Sequence, residues 1–373
     1  MTNLRLGGKE GRPLVQGGMG VGVSANRLAA AVAREGCVGT ISSVDLRRLH
    51  PDLMQATGRS RDKQAIEQAN LTALEREIGA AREASGGRGA IAVNVMRAVT
   101  QYPDYVRTAC AAGADAIVAG AGLALDLPEL ARDWPRVALV PIVSEARAAS
   151  LITRRWLRKD RVPDAIVVEH PRYAGGHLGA MSLGEVADPR FDFERVLPEI
   201  RAALHDAGVD AERVPLIAAG GINSPQRARA ALAAGAAAVQ VGTPFAVTEE
   251  CDAHPNFKRV LAGARDEDIV VFMSVAGLPA RAVRTPWLAT YLDKLPQLRR
   301  RAKQRRCTLA WDCLAHCGLR DGLPQAGQFC IDHHLAAALR GDVDRGLFFR
   351  GSEPVPFGAE IRPVRDLVRY LLD

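Results

Sequence analysis

The chain has 373 residues, 48% apolar and 24% charged, with a formal net charge of +7. Those proportions suit a globular chain and argue against collagen-like or disordered classes, and no apolar run approaches the roughly eighteen residues of a membrane span. Part of the positive excess is local, in Arg299, Arg300, Arg301, Lys303, Arg305 and Arg306, with no aromatic residues interleaved. A solvated helix face or linker is therefore expected there, rather than a nucleic-acid patch.

The first five residues contain no apolar core of signal-peptide length, and the cysteine count is odd at seven, with Cys37, Cys110 and Cys251 in apolar or helical surroundings. This usage fits a reducing cytoplasm better than a secreted disulfide scaffold.

Eight short apolar runs follow one another along the chain, at residues 13–16, 38–42, 90–95, 116–120, 138–143, 165–169, 215–220 and 238–242. They are continuous rather than alternating, as strands covered on both faces should be. The segments between them have helical spacing. Residues 24–35 open with Ser24 as a cap and place Leu28, Ala29, Val32 and Ala33 on one side. Residues 224–234 open with Ser224 and then Pro225, a cap followed by proline in the first turn. Eight strand–helix alternations over about 230 residues predict a (β/α)8 TIM barrel, with an open doubly wound sheet as the competing architecture.

The barrel is expected over residues 1–250, with residues 43–85 as an excursion over its mouth. Residues 251–300 form a helical and irregular region completing the lid, and residues 301–373 a basic, cysteine-bearing extension.

Glycines gather where barrel enzymes place their chemistry, at the carboxyl ends of strands. Gln16 is followed by Gly17, Gly18 and Met19, and Gly120 ends the fourth run. Gly220 and Gly221 follow the seventh run, and Gly242 and Thr243 the eighth. Any one of these could be only a tight strand-to-helix turn. The pair after strands seven and eight, however, matches the usual phosphate cradle of the fold. Asn94 lies in the third run, where its amide could bind a planar heterocycle or be satisfied by backbone inside the barrel.

After the sixth run comes Ala174-Gly175-Gly176-His177-Leu178-Gly179. An isolated histidine is more often a surface or core residue. At a glycine-wrapped strand end, His177 is the candidate catalytic residue, because imidazole can exchange a proton near neutrality. No P-loop, HExxH, GxSxG or dinucleotide GxGxxG motif is present.

Taken in order, Gln16-Gly17-Gly18-Met19, Val93-Asn94-Val95-Met96, Glu169 with the Gly175–His177 turn, Ala218–Ile222 and Val239–Thr243 resemble the nitronate monooxygenases. That family was formerly called 2-nitropropane dioxygenases and is related to the flavin enoyl-ACP reductases. The resemblance extends through residues 248–258 and 274–281. It implies an FMN-binding barrel in which Gly17, Gly18, Met19 and Asn94 adjoin the flavin ring and Gly176 lies on its face. Gly220, Gly221, Gly242 and Thr243 would hold the phosphate. Gly120, Glu169, Gly175 and Gln240 complete the cofactor pocket, and His177 corresponds to the catalytic histidine. One departure is the lead His170-Pro171-Arg172-Tyr173, which is bulkier than is common in relatives and bears on the substrate pocket.

The implied reaction is oxidation of an alkyl nitronate with O2 to a carbonyl compound and nitrite. The alternative is NAD(P)H-dependent reduction of an enoyl thioester or quinone, and a non-catalytic flavin-binding barrel is a third reading. A small-molecule substrate and a homo-oligomer are expected, without nucleic-acid or membrane partners. Cys307, Cys313, Cys317 and Cys330 fall within 24 residues. They suggest an iron–sulfur cluster or zinc, with packing cysteines as the alternative. His316, His333 and His334 nearby are expected to be solvent-exposed helical residues. Residues 346–352, Gly-Leu-Phe-Phe-Arg-Gly-Ser, resemble a stretch at the end of longer family members.

Overall fold

The computed structural model describes residues 3–304, 307–309 and 311–373; Arg305 and Arg306 of the basic run lie outside them. The chain opens with an antiparallel pair, β1 (Leu4–Leu6) and β2 (Lys9–Gly11). The barrel begins with β3 (Leu14–Gln16), β4 (Val38–Ser42), β5 (Ala90–Met96), β6 (Ala116–Gly120), β7 (Ala138–Val143) and β8 (Ile166–Glu169). A two-residue strand, β9 (Gly176–His177), stands outside it, and β10 (Leu216–Ala219) and β11 (Ala238–Val241) complete it. All neighbouring barrel strands are parallel, and β11 pairs with β3 to close the ring.

Side-chain alternation explains why these strands carry continuous apolar runs. Ile91, Val93 and Val95 of β5 face the outer layer of helices, while Ala90 and Ala92 face the barrel interior. In β8, Ile166 and Val168 point outward and Val167 inward. Both faces are buried, so no polar period survives. Leu4 and Leu6 of the opening hairpin pack on the interior residues.

The helix Asn26–Arg34 corrects one expectation. Its N-cap is Ala25, with no side-chain cap of its own, and Ser24 instead accepts a bond from Met19 N at 2.8 Å. The cap comes from far along the chain. The Asp252 carboxylate accepts from the backbone N–H groups of Ala25 (2.8 Å), Arg27 (3.1 Å) and Leu28 (3.2 Å). Glu77 accepts from that of Asn26 at 2.8 Å. Two acids at a helix N-terminus satisfy orphan donors and favour the dipole. Ser224 caps as expected, its hydroxyl accepting from Arg227 N at 3.3 Å.

Between β4 and β5 lie a short turn at Leu46–Leu49, a helix at Pro51–Thr57 and a long helix at Lys63–Ser85. After the barrel, β12 (Ile269–Met273) and β13 (Pro279–Val283) form an antiparallel hairpin, and β13 pairs with β9. His177 is thereby held opposite Ala280. The tail then crosses the barrel mouth, with isolated bridges joining Val99 to Leu314 and Ala282 to Phe349. It ends in the helix Val364–Leu372, which buries Leu367, Val368 and Leu371. His334 is not solvent-exposed as expected; it stacks on Trp287 with ring centroids 3.9 Å apart. No helix among the described residues is long and apolar enough to cross a membrane.

Candidate active site

The carboxyl ends of the barrel strands open into one cavity of about 840 Å³. Every residue expected to bind cofactor lines it, as does His177. They come from the ends of β3, β5, β6, β8, β10 and β11, which the closed barrel turns toward a common centre.

At the β3 end, Gln16 is fully buried; its Oε1 accepts from Thr40 N at 2.8 Å and its amide donates to Gly17 O. This braces the glycine turn. A Cβ on Gly18 would stand 2.3 Å from Asn94 Cβ, so only glycine lets the loop lie on that side chain. Asn94 donates to Val118 O at 3.2 Å, which leaves its carbonyl oxygen and second N–H for a ligand. Gln240 lies beside Gly17, and its side-chain amide has no hydrogen-bond partner among the described residues. Open amide groups beside a side-chain-free loop suit a planar, hydrogen-bonding ring.

Two strands round the barrel from β3, at the end of β10, Gly220 and Gly221 have φ of +100° and +75°. Cβ atoms there would approach His170 O to 2.9 Å and Tyr173 Cβ to 2.8 Å. Glycine is therefore required on both conformational and steric grounds. Thr243 adds a hydroxyl to this end of the cavity. The donor set fits a phosphate.

His177 Nε2 lies 2.9 Å from Ser274 Oγ, on the turn between β12 and β13. Ser274 is fully buried and its Oγ also accepts from Ala276 N at 3.2 Å, which fixes the hydroxyl. The His177 ring sits 5.9 Å from that of Phe349 of the tail. Burial lowers its pKa to about 4, so the imidazole is neutral at physiological pH. Burial has the opposite effect on Glu169 at the end of β8, raising it to about 7. The cavity therefore holds a neutral base and an acid poised to lose its proton near neutrality.

The tail builds part of the cavity wall. Trp311, Leu314, Ile331 and Leu335 make that wall apolar, and Leu123, Leu151 and Met181 continue it to the rim, 40%, 48% and 74% exposed respectively. Its anchor is ionic. Arg48 binds Asp45 and lies 2.7 Å from Asp332, while Arg47 lies 2.9 Å from Asp45. Burial and the nearby Asp332 push the Asp45 carboxyl upward against the pull of both arginines.

Of the four tail cysteines, Cys313 alone lines the cavity. Among the described residues no group of three or more His, Cys, Asp or Glu side chains is arranged to hold a metal ion, so the expected iron or zinc site finds no support. Burial raises the Cys330 thiol to about 11 and pushes Cys313 up further, with Cys307, Cys317 and Cys330 close enough to add to the rise at Cys313. All seven cysteines are free thiols.

Several participants carried no recognisable signal in the sequence. Ser274 opens the 274–281 stretch that carries the resemblance, but nothing in the sequence paired it with His177. Asp45, Arg48 and Asp332 are separated by up to 287 positions and meet only in the fold.

A family model described as nitronate monooxygenase matches residues 9–373. A protein of Bacillus subtilis named "Probable nitronate monooxygenase" is 32% identical over 142 residues, 38% of each chain. One of the same name from Staphylococcus saprophyticus is 29% identical over 135 residues, 35% of this chain and 36% of the other. These matches therefore span little more than a third of the curated relatives' lengths.

Two solved structures share the fold over nearly the whole chain. FabK from Thermotoga maritima aligns with a TM-score of 0.67 at 23% identity, covering 96% of this chain and 91% of that one. Nitroalkane oxidase from Streptomyces ansochromogenes aligns with a TM-score of 0.66 at 20% identity, covering 96% and 94%.

Proposed function

The chain belongs to the nitronate monooxygenase family, and on that premise we propose that it is a cytoplasmic, FMN-dependent oxidoreductase acting on alkyl nitronates with O2 to give a carbonyl compound and nitrite. The observation that carries this reading is the neutral, Ser274-held His177 in a cavity whose lining suits a flavin ring and its phosphate.

Gly17, Gly18, Asn94 and Gln240 would hold the ring, and Gly220, Gly221, Gly242 and Thr243 the phosphate. Met19, Gly120, Gly175 and Gly176 would shape the walls. When bound, FMN supplies the electron acceptor and the reaction with oxygen.

The protein's own part is binding, orientation and proton handling. A nitronate is an anion, and the neutral imidazole would hold it by donating an N–H hydrogen bond. The His177 Nδ1 has no hydrogen-bond partner among the described residues, so that edge is available to the ligand. With a neutral nitroalkane, the same imidazole would take the proton from the carbon bearing the nitro group. The resulting anion then raises the affinity of His177 for that proton, since opposite charges stabilise each other at short range. Ser274 fixes which ring edge does this. Glu169, protonated below about pH 7, can donate a hydrogen bond to the same anion. The apolar tail wall would receive the alkyl substituent and exclude water.

Anaerobic titration of the flavin spectrum with a nitronate, NADH and NADPH tests the proposal. Bleaching by the nitronate, together with oxygen uptake that needs no pyridine nucleotide, is the expected result. Bleaching by NAD(P)H but not by the nitronate would replace the monooxygenase with a reductase of enoyl thioesters or quinones. Full turnover by His177→Ala would remove the histidine from the chemistry.

A further inference from the structure

The segment from Phe349 to Pro354 lies against the cavity end assigned above to the cofactor phosphate. Gly351 N donates to Thr243 Oγ1 at 2.9 Å, across 108 positions of sequence. Ser352 N donates to Tyr173 O at 3.2 Å, and Asn223 Nδ2 donates to Pro354 O at 2.8 Å. Glu353 lies 2.6 Å from Arg227, whose Nη1 donates to Gly221 O at 3.2 Å. The tail is thus tied to the loops after β8, β10 and β11 together.

The approach is backbone to backbone. A Cβ on Gly175 would stand 2.5 Å from Gly351 N, and one on Gly351 would stand 2.9 Å from Tyr173 O. Neither glycine can carry a side chain without parting the tail from the site. Arg350 is 2% exposed and anchors the segment from below, its Nε donating to Leu261 O at 3.0 Å.

We infer that this tail segment is a working part of the phosphate site, with Gly351 as a positioning residue that aims the Thr243 hydroxyl at a phosphate monoester. The physical reason lies in what a hydroxyl can do. It has one hydrogen and two lone pairs. The Gly351 N–H occupies a lone pair of Thr243 Oγ1, and the hydroxyl hydrogen has no acceptor among the described residues. Thr243 lines the cavity, so the hydrogen is left for an anionic oxygen there. Had Thr243 instead donated to a carbonyl of the tail, the contact would be packing alone. The inference rests on the FMN reading but adds to it a tail residue that acts through the Thr243 hydroxyl.

The test uses apoprotein and two ligands, FMN and riboflavin, which differ only in the phosphate. Dissociation constants come from quenching of flavin fluorescence. The wild-type protein is expected to prefer FMN. In Gly351→Ala the ratio of the two constants should fall by about tenfold or more, as for a lost hydrogen bond to a charged group, with riboflavin binding unchanged. Thr243→Val should do the same and Thr243→Ser should retain the preference. The double variant Gly351→Ala/Thr243→Val should be no worse than Thr243→Val, since both act through one hydroxyl. An unchanged ratio in Gly351→Ala, or equal weakening of both ligands, would overturn the inference. Wild-type protein that binds neither flavin would overturn the underlying FMN reading as well.

Discussion

Protonation of His177 sets a stability cost that can be measured without any substrate. Burial holds the folded-state value at about 4 against an ordinary 6.5. On unfolding the imidazole returns to water, so between these values the unfolded chain binds a proton that the folded protein does not. Stability therefore falls as pH drops through the window from about 6.5 to about 4, and the loss is complete below it. At roughly 1.4 kcal/mol per pH unit the full loss is about 3 kcal/mol, of which about 2.5 kcal/mol is reached by pH 4.5.

The perturbation is His177→Gln, which removes the titration while keeping an amide within reach of Ser274. Urea unfolding of both apoproteins, followed by circular dichroism at pH 7.5 and 4.5, gives the comparison. Buried carboxyls such as Asp252, raised to about 6, contribute equally to both proteins and cancel in the difference. The wild type should lose about 2.5 kcal/mol more than the variant between the two pH values. Equal losses would refute the neutral, buried histidine, and so would an acid limb near 6.5 in kcat/KM of the wild-type enzyme.

Three further outcomes follow from the same geometry. Gly18→Ala drives a Cβ to 2.3 Å from Asn94 Cβ; overpacking should cost about 1–3 kcal/mol, seen in the apoprotein melting temperature, and flavin stoichiometry should drop. Arg48→Met leaves Asp332 without its 2.7 Å partner and Asp45 with Arg47 alone. The loss should be about 3–5 kcal/mol at pH 7.5, smaller at pH 5 where the buried Asp45, raised to about 7, takes up a proton, and partly recovered by adding Asp332→Asn. Glu169→Gln replaces an acid raised to about 7 by an amide that donates but cannot ionise. Turnover in the wild type should decline as pH rises through about 7, and that limb should vanish from the pH–rate profile of the variant.

Much of the site was legible because its parts are local. Gly17 to Met19, Gly220 with Gly221, and Gly242 with Thr243 each sit directly after an apolar run. Parallel strands closed into a barrel bring all their carboxyl ends to one rim. Naming the residue after each run is then nearly naming the cavity lining. Reading Ser24 as a cap failed for a related reason. The residue type was right for capping, but Asp252, 227 positions from Ala25, was a better acceptor once folded, and Ser24 turned to Met19. For the tail cysteines, spacing alone carried no information about ligand geometry, and no metal-holding group stands among the described residues.

Sequence by itself determined the barrel, the order of its strands and the glycine turns at their ends, since each follows from periodicity or backbone sterics within a dozen residues. Only the tertiary structure decided what completes the site. Ser274 meets His177 across 97 positions, Arg48 meets Asp332 across 284, and Gly351 meets Thr243 across 108. Such contacts depend on how the tail crosses the mouth. A single polar residue leaves no periodic trace of a partner so far away, and folding alone brings the two within hydrogen-bond reach.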